Sequence, residues 1–148
     1  MRFSVDSNVL IYALDAATPD KQRVATDILM RGARHDMVLT TQALGEFLAF
    51  FRRRFPVHLP QALAQAERWS ILYPPISTSA EHLMAAGELA HQHRLQFWDS
   101  VIWLVAASGN AKVLLSEDMQ DGLTLQGITV INPFNPGNSD RVERMFDD

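Results

Sequence analysis

Residues 3–15 read FSVDSNVLIYALD. A short apolar run starting at Arg2 and ending at Val5 breaks off at an acid, Asp6. An apolar stretch from Asn8 to Leu14 then follows with almost no linker. The first run has the length of a buried strand and the second the character of a short helix, so the reading is a strand feeding directly into a helix across an acidic turn.

Working outward, the same alternation repeats. Thr18-Pro19 opens a helix expected to run to about Arg34, because proline at the first helical position loses no needed hydrogen bond. Met37 to Thr40 reads as a second strand. Gln42 to Arg54 then places Ala43, Leu44, Phe47, Leu48, Phe50 and Phe51 at helical spacing on a broad face. Pro56 and Pro60 punctuate the next turn, Gln61 to Leu72 reads as a helix, and Tyr73-Pro74-Pro75 stops it. Thr78 and Glu81 have capping-box spacing, which predicts a helix to about His93. Asp99 precedes a strongly apolar helix that Gly109 should end. Lys112 to Ser116 and Ile128 to Ile131 read as further strands, and the Pro-, Gly- and Asn-rich tail, residues 133–148, as a peripheral arm. The expectation is one α/β domain over residues 1–148, a central, mostly parallel sheet with helices on both faces.

Composition narrows the function. The chain has 148 residues, enough for one domain with its own core, and no cysteine, which removes disulfides, thiolate metal sites and a cysteine nucleophile. Its net charge of −4 lacks the global basic signature of a protein that coats nucleic acid, so any RNA contact must be local. Asp6 and Asp15 interrupt the N-terminal region where a secretory leader needs an apolar stretch, and VIWLVAA at residues 101–107 is too short to span a bilayer. A cytoplasmic protein with no membrane association is expected.

Ligand sites of parallel α/β sheets lie at the carboxyl ends of the strands. Two strands here end in acid, one at Asp6 and one at Ser116-Glu117-Asp118. Asp99 stands at a helix start, and Glu46 interrupts an apolar helix. Each has an ordinary alternative: Asp6 and Asp99 as helix caps, Asp118 as turn chemistry beside Asp121 and Gly122. Glu46 is harder to dismiss, because a carboxylate beside a core-facing stripe is costly unless paired or bound to a cation. Carboxylates about 4 Å apart repel by roughly 4 kcal/mol per pair at an effective dielectric of 20, so a convergent cluster needs a cation or bound protons. An all-oxygen, water-accessible site suits Mg²⁺ or Mn²⁺ better than Zn²⁺. His91 and His93, two apart on a helix, point in different directions and offer no competing site. The turn after the first strand has no glycine, which excludes a nucleotide cradle there. Arg52, Arg53 and Arg54, with Lys21, Arg23, Arg31 and Arg34 elsewhere, could hold a phosphate backbone or simply be solvated helix charge.

With these residues in place, the chain resembles the PIN-domain ribonucleases, and among them the VapC-type toxins of bacterial toxin–antitoxin pairs. The resemblance rests on FSVDSNVLIYALD, the glutamate of TTQALGEF, FWDSVIWLVAA, and LLSEDMQDG followed by ITVINPF. It implies an acidic quartet at Asp6, Glu46, Asp99 and Asp118, with Asp6, Asp99 and Asp118 as metal ligands. Asn8 and Ser116 match supporting positions, and Asp121 is an additional acid to place near the site. It also implies metal-dependent hydrolysis of RNA such as tRNA, a homodimer and a cognate antitoxin. Two other readings remain open at this stage: an aspartate-nucleophile phosphotransferase, against which Asn8 stands where a second acid is usual, and a binding module without turnover. Leu44 to Phe51, Trp98 and Trp103 exceed what one core obviously needs and are candidates for partner contact.

Overall fold

The computed structural model describes residues 1–147. Five strands form one sheet in the order β2-β1-β3-β5-β4, where β1 is Phe3–Val5, β2 Met37–Val38, β3 Val113–Leu115, β4 Thr124–Leu125 and β5 Ile128–Ile131. The first four in that order run parallel, with Phe3 opposite both Met37 and Val113, and Val113 opposite Thr129. Only β4 is antiparallel, paired with β5. The expected α/β architecture is therefore the observed one, with a β4–β5 hairpin added at the edge.

Among the described residues seven α-helices flank this sheet: α1 Ser7–Leu14, α2 Pro19–Gly32, α3 Thr41–Arg54, α4 Leu59–Leu72, α5 Ala80–His93, α6 Phe97–Ser108 and α7 Ser139–Arg144. They cover both faces. A Cβ built on Gly32, at the end of α2, comes within 3.5 Å of the Phe3 ring; one built on Gly109, just past α6, would meet Ile76 at 2.4 Å and Val38 at 3.2 Å. A side chain at position 109 would have to displace the end of Ile76 and crowd Val38, and glycine lets α6 end close against β2. None of these helices is long and apolar enough to cross a membrane.

Three boundaries differ from expectation. The capping box that opens α5 is formed by Ser79 and His82, one residue beyond Thr78 and Glu81. Thr78 is held elsewhere, its amide donating to Thr41 Oγ1 at 3.3 Å. Pro60 lies in the first turn of α4 rather than ahead of it, where its missing N–H costs nothing. Asp99 does not cap α6: Gln96 does, accepting the Asp99 amide at 3.0 Å, which leaves the Asp99 carboxylate unused by the helix.

The tail, expected as a peripheral arm, packs against the core through Val142, Met145 and Phe146, which it buries. Phe146 meets Phe3 edge-on at 5.5 Å, and the Arg31 guanidinium lies 4.0 Å above its ring. Arg31 also pairs with Glu143 at 2.8 Å. Residues spaced i, i+3, i+4 make one apolar helical stripe, and burying it stabilises the turn that composition alone marks as irregular.

Candidate active site

The strand order reverses between β1 and β3: the chain leaves β1 in one direction to reach β2 and returns past it to β3. Such a switch point opens a crevice at the carboxyl edge of the sheet. Asp6 follows β1 there, and Ser116-Glu117-Asp118 follows β3. The Asp6 amide donates to Leu115 O at 2.9 Å, so the two turns leave the sheet side by side.

Asp6 is 2% exposed. Its Oδ1 accepts the Ser7 amide at 2.7 Å, and its Oδ2 accepts the Ser116 hydroxyl at 2.7 Å and Asn8 Nδ2 at 3.1 Å. The capping reading of Asp6 therefore holds for one oxygen only. Asn8 Nδ2 reaches Asp118 Oδ2 as well, at 3.3 Å, while Asn8 Oδ1 accepts the Glu117 amide at 3.3 Å. Ser116 Oγ takes the amides of Asp118 and Met119 at 3.2 Å each. Asn8 and Ser116 thus tie the two acidic turns into one unit.

Glu46 reaches the same crevice from α3. Ser7 Oγ donates to its Oε1 at 3.0 Å, and Gln42, one turn earlier, donates to its Oε2 at 2.9 Å. Asp99, in the first turn of α6, completes the group. Burial is the main force raising its pKa to about 7, and the charges of Asp6, Glu46 and Asp118 add to it. Burial likewise raises Asp6 to about 6 against the opposing hydrogen bonds from Ser116 and Ser7, with Glu46 and Asp118 again contributing repulsion. Four carboxylates from β1, α3, α6 and the β3 turn consequently feel one another. Among the described residues, no salt bridge supplies any of the four with a cation.

That imbalance is what a hard divalent ion relieves. No three Asp, Glu or His side chains among the described residues stand close enough to ligate one ion by themselves. Mg²⁺ does not require it, since it keeps several waters and is commonly held by one or two carboxylates. The donor set, all oxygen with free lone pairs, fits Mg²⁺ or Mn²⁺.

Other predicted residues lie apart from this group. Asp121 is one of them: its Oδ1 accepts the Asn132 amide at 3.0 Å and its Oδ2 accepts Asn138 Nδ2 at 2.8 Å, so both oxygens hold the tail. These bonds hold its pKa below the usual carboxylate range, against the burial that raises it. Lys21, Arg23 and Arg31 are consumed by ion pairs with Glu117, Asp20 and Glu143. Arg52, Arg53 and Arg54 are exposed at the last turn of α3, where Arg53 falls seven residues, about 10 Å, beyond Glu46 on nearly the same face.

Sequence reasoning missed two groups. Gln42, four residues before Glu46, was readable as a helical i,i+4 partner. The clamp on Glu117 was not: Tyr12 donates to its Oε1 at 2.6 Å and Lys21 pairs with its Oε2 at 2.7 Å, while Lys21 lies 4.8 Å over the Tyr12 ring. This fastens the Asp118 turn to α1 and α2.

The frame of the site is thus a mostly parallel α/β sheet with four acids at its switch point and no cation paired to them among the described residues. The chain belongs to the PIN domain family, whose profile matches residues 4–120. Among solved structures it is similar to a chain of the VapBC2 complex from Rickettsia felis, crystallised bound to a DNA fragment from its promoter. The two share 15% identity and superpose with a TM-score of 0.63, over 88% of this chain and 97% of the other. No curated protein matches the sequence significantly.

Proposed function

We propose that this protein is a Mg²⁺- or Mn²⁺-dependent endoribonuclease, the toxin of a toxin–antitoxin pair, acting in the cytoplasm on a structured RNA such as tRNA. The observation that carries this reading is the convergence of Asp6, Glu46, Asp99 and Asp118 in one crevice without a counter-cation. A pure binder of RNA has no use for acids where phosphate must approach. Membership of the PIN family supports hydrolysis of nucleic acid, and the likeness of fold to VapBC2 supports an antitoxin partner; a homodimer belongs to the same reading.

Asp6, Asp99 and Asp118 would hold the ion, one or two of them directly and the rest through its waters, and the ion would supply a bound water of lowered pKa and positive charge for the phosphate under attack. The Ser7 amide, Ser116 and Asn8 fix the Asp6 carboxylate: Oδ2 takes both side-chain donors, while Oδ1, taking the amide, is the oxygen left to face the crevice. Glu46, steadied by Ser7 and Gln42, orients water for in-line attack on the phosphodiester. Asp99 has no side-chain donor of its own assigned to it by α6, so its charge is free to respond to what enters the site.

The test is cleavage of total cellular RNA by purified, antitoxin-free protein with Mg²⁺ or Mn²⁺ against EDTA. Metal-dependent cleavage that Asp6→Asn and Asp99→Asn each abolish, with circular dichroism unchanged, is the expected result. Cleavage retained by either variant removes that residue from the mechanism, and no cleavage with any metal favours the binding module.

A further inference from the structure

Immediately before Asp99 stand two large exposed rings. Trp98 is 47% exposed and Phe97 37%, and their centroids lie 4.9 Å apart in a T-shaped contact. The other two tryptophans behave differently. Trp69 is 5% exposed and Trp103 1%, with Trp103 Nε1 donating to Leu125 O at 2.9 Å. The fold therefore has no difficulty burying tryptophan, yet leaves this one in water beside a candidate catalytic acid.

The corner leading to these rings is basic. His91, His93 and Arg94 are all exposed, and no carboxylate occurs between Glu88 and Asp99. Arg94 closes α5 in the left-handed conformation, with φ of 54°. Among the described residues it enters no ion pair, in contrast to Lys21, Arg23 and Arg31.

Resting on the ribonuclease reading, we propose that Trp98, backed by Phe97, stacks an unpaired base of single-stranded RNA next to the cleaved phosphodiester, with Arg94 at a neighbouring phosphate. A site made of acids in a chain of net charge −4 cannot draw RNA by electrostatics alone. Stacking on an aromatic face supplies affinity that does not depend on charge, and it selects unpaired bases because paired ones hide their faces. Two rings also fall far short of the roughly 800 Å² per partner that a stable protein interface covers.

The probe is a fluorescein-labelled single-stranded RNA of twelve nucleotides and the same strand in a duplex, each titrated with Asp6→Asn protein in Mn²⁺. Anisotropy reads affinity, and the part of the tryptophan emission that RNA quenches reads Trp98, since the other two indoles are buried out of reach of a stacked base. The expected result is saturable quenching by the single strand, much weaker binding of the duplex, and about tenfold weaker binding with quenching lost when Trp98→Leu is added. Trp98→Phe should keep most of the affinity, which excludes a folding defect. In the otherwise unaltered protein, Trp98→Leu should raise KM by a similar factor and move kcat little.

Equal affinity of the Trp98→Leu protein, equal binding of duplex, or no binding of the single strand overturns the proposal. So does a dimer that Trp98→Leu dissociates in sedimentation while RNA affinity stays unchanged, because the rings would then face another chain. Trp98-dependent binding without any cleavage by the unaltered protein leaves the stacking in place and refutes the ribonuclease reading instead.

Discussion

In metal-free protein the Asp99→Asn substitution should be stabilising, and the size of the effect follows from the site. The Asp99 carboxyl is raised from 3.8 to about 7 by burial first and by Asp6, Glu46 and Asp118 second. A shift of ~3 units corresponds to ~4 kcal/mol at 1.36 kcal/mol per unit. Asp99 is only partly buried, and water and salt screen its neighbours, so about 1–2 kcal/mol is the share expected to survive. The sign is fixed by proton uptake: folding raises the pKa, the folded state binds more protons than the unfolded one, and stability present at acid pH is lost as pH rises from about 4 through about 7. Asparagine mimics the neutral form and does not pay this. Thermal melts in EDTA should thus show the two proteins together at pH 4.5, and the variant ahead by about 3–8 °C at pH 8. Saturating Mn²⁺ should reverse the order, since a ligand at 100 times its Kd adds ~2.7 kcal/mol to the protein that binds it. Identical melts at pH 8 in EDTA would refute the claim that Asp99 is held against the charge of its neighbours.

Two further perturbations probe the scaffold around the crevice. Ser116→Ala removes a buried hydroxyl that bonds Asp6 and takes two amides, leaving those amides without a partner; a loss of about 1–3 kcal/mol in urea unfolding and weaker Mn²⁺ binding are expected, and unchanged Mn²⁺ affinity would show that Asp118 is positioned without it. Phe146→Ala should cost about 3–5 kcal/mol by emptying the space beside Phe3 and beneath Arg31, and a loss under 1 kcal/mol would restore the view of the tail as a peripheral arm.

The strands of the switch point were legible because each is a short apolar run ended by an acid or hydroxyl, and the helices because proline, capping residues and periodicity bound them. β4 escaped because Thr124-Leu125 is two residues long and carries no period of its own. Its signal lies in the loop: Gln126 and Gly127 both take positive φ, 54° and 76°, as a two-residue hairpin turn requires, and Gln126 is not a residue that advertises it. The one-residue slip at α5 has a tertiary cause, the grip of Thr41 on Thr78, which propensity does not contain. Asp121 shows the same limit in the site. Beside Asp118 it reads as one more acid, and only the fold reveals that Asn132 and Asn138 have claimed both its oxygens. For Asp99 the sequence leaves a helix cap and an acid of the site as alternatives, and it is Gln96 that takes the capping role.

These two carboxylates show what separates an acid kept for structure from one kept for chemistry. Asp121 sits among donors, its pKa is lowered, and its charge stabilises the fold. Asp6 and Asp99 are placed where burial and like charge raise theirs, at a cost that local structure does not recover. Asp6 receives three hydrogen bonds and remains raised even so, which means its hydrogen bonds orient the group without neutralising it. Structural ion pairs elsewhere in the chain, such as Arg31 with Glu143, show that the sequence can neutralise an acid where a fold needs it. Acids left without a paired cation inside a fold able to pair its charges are what the proposed divalent ion would neutralise.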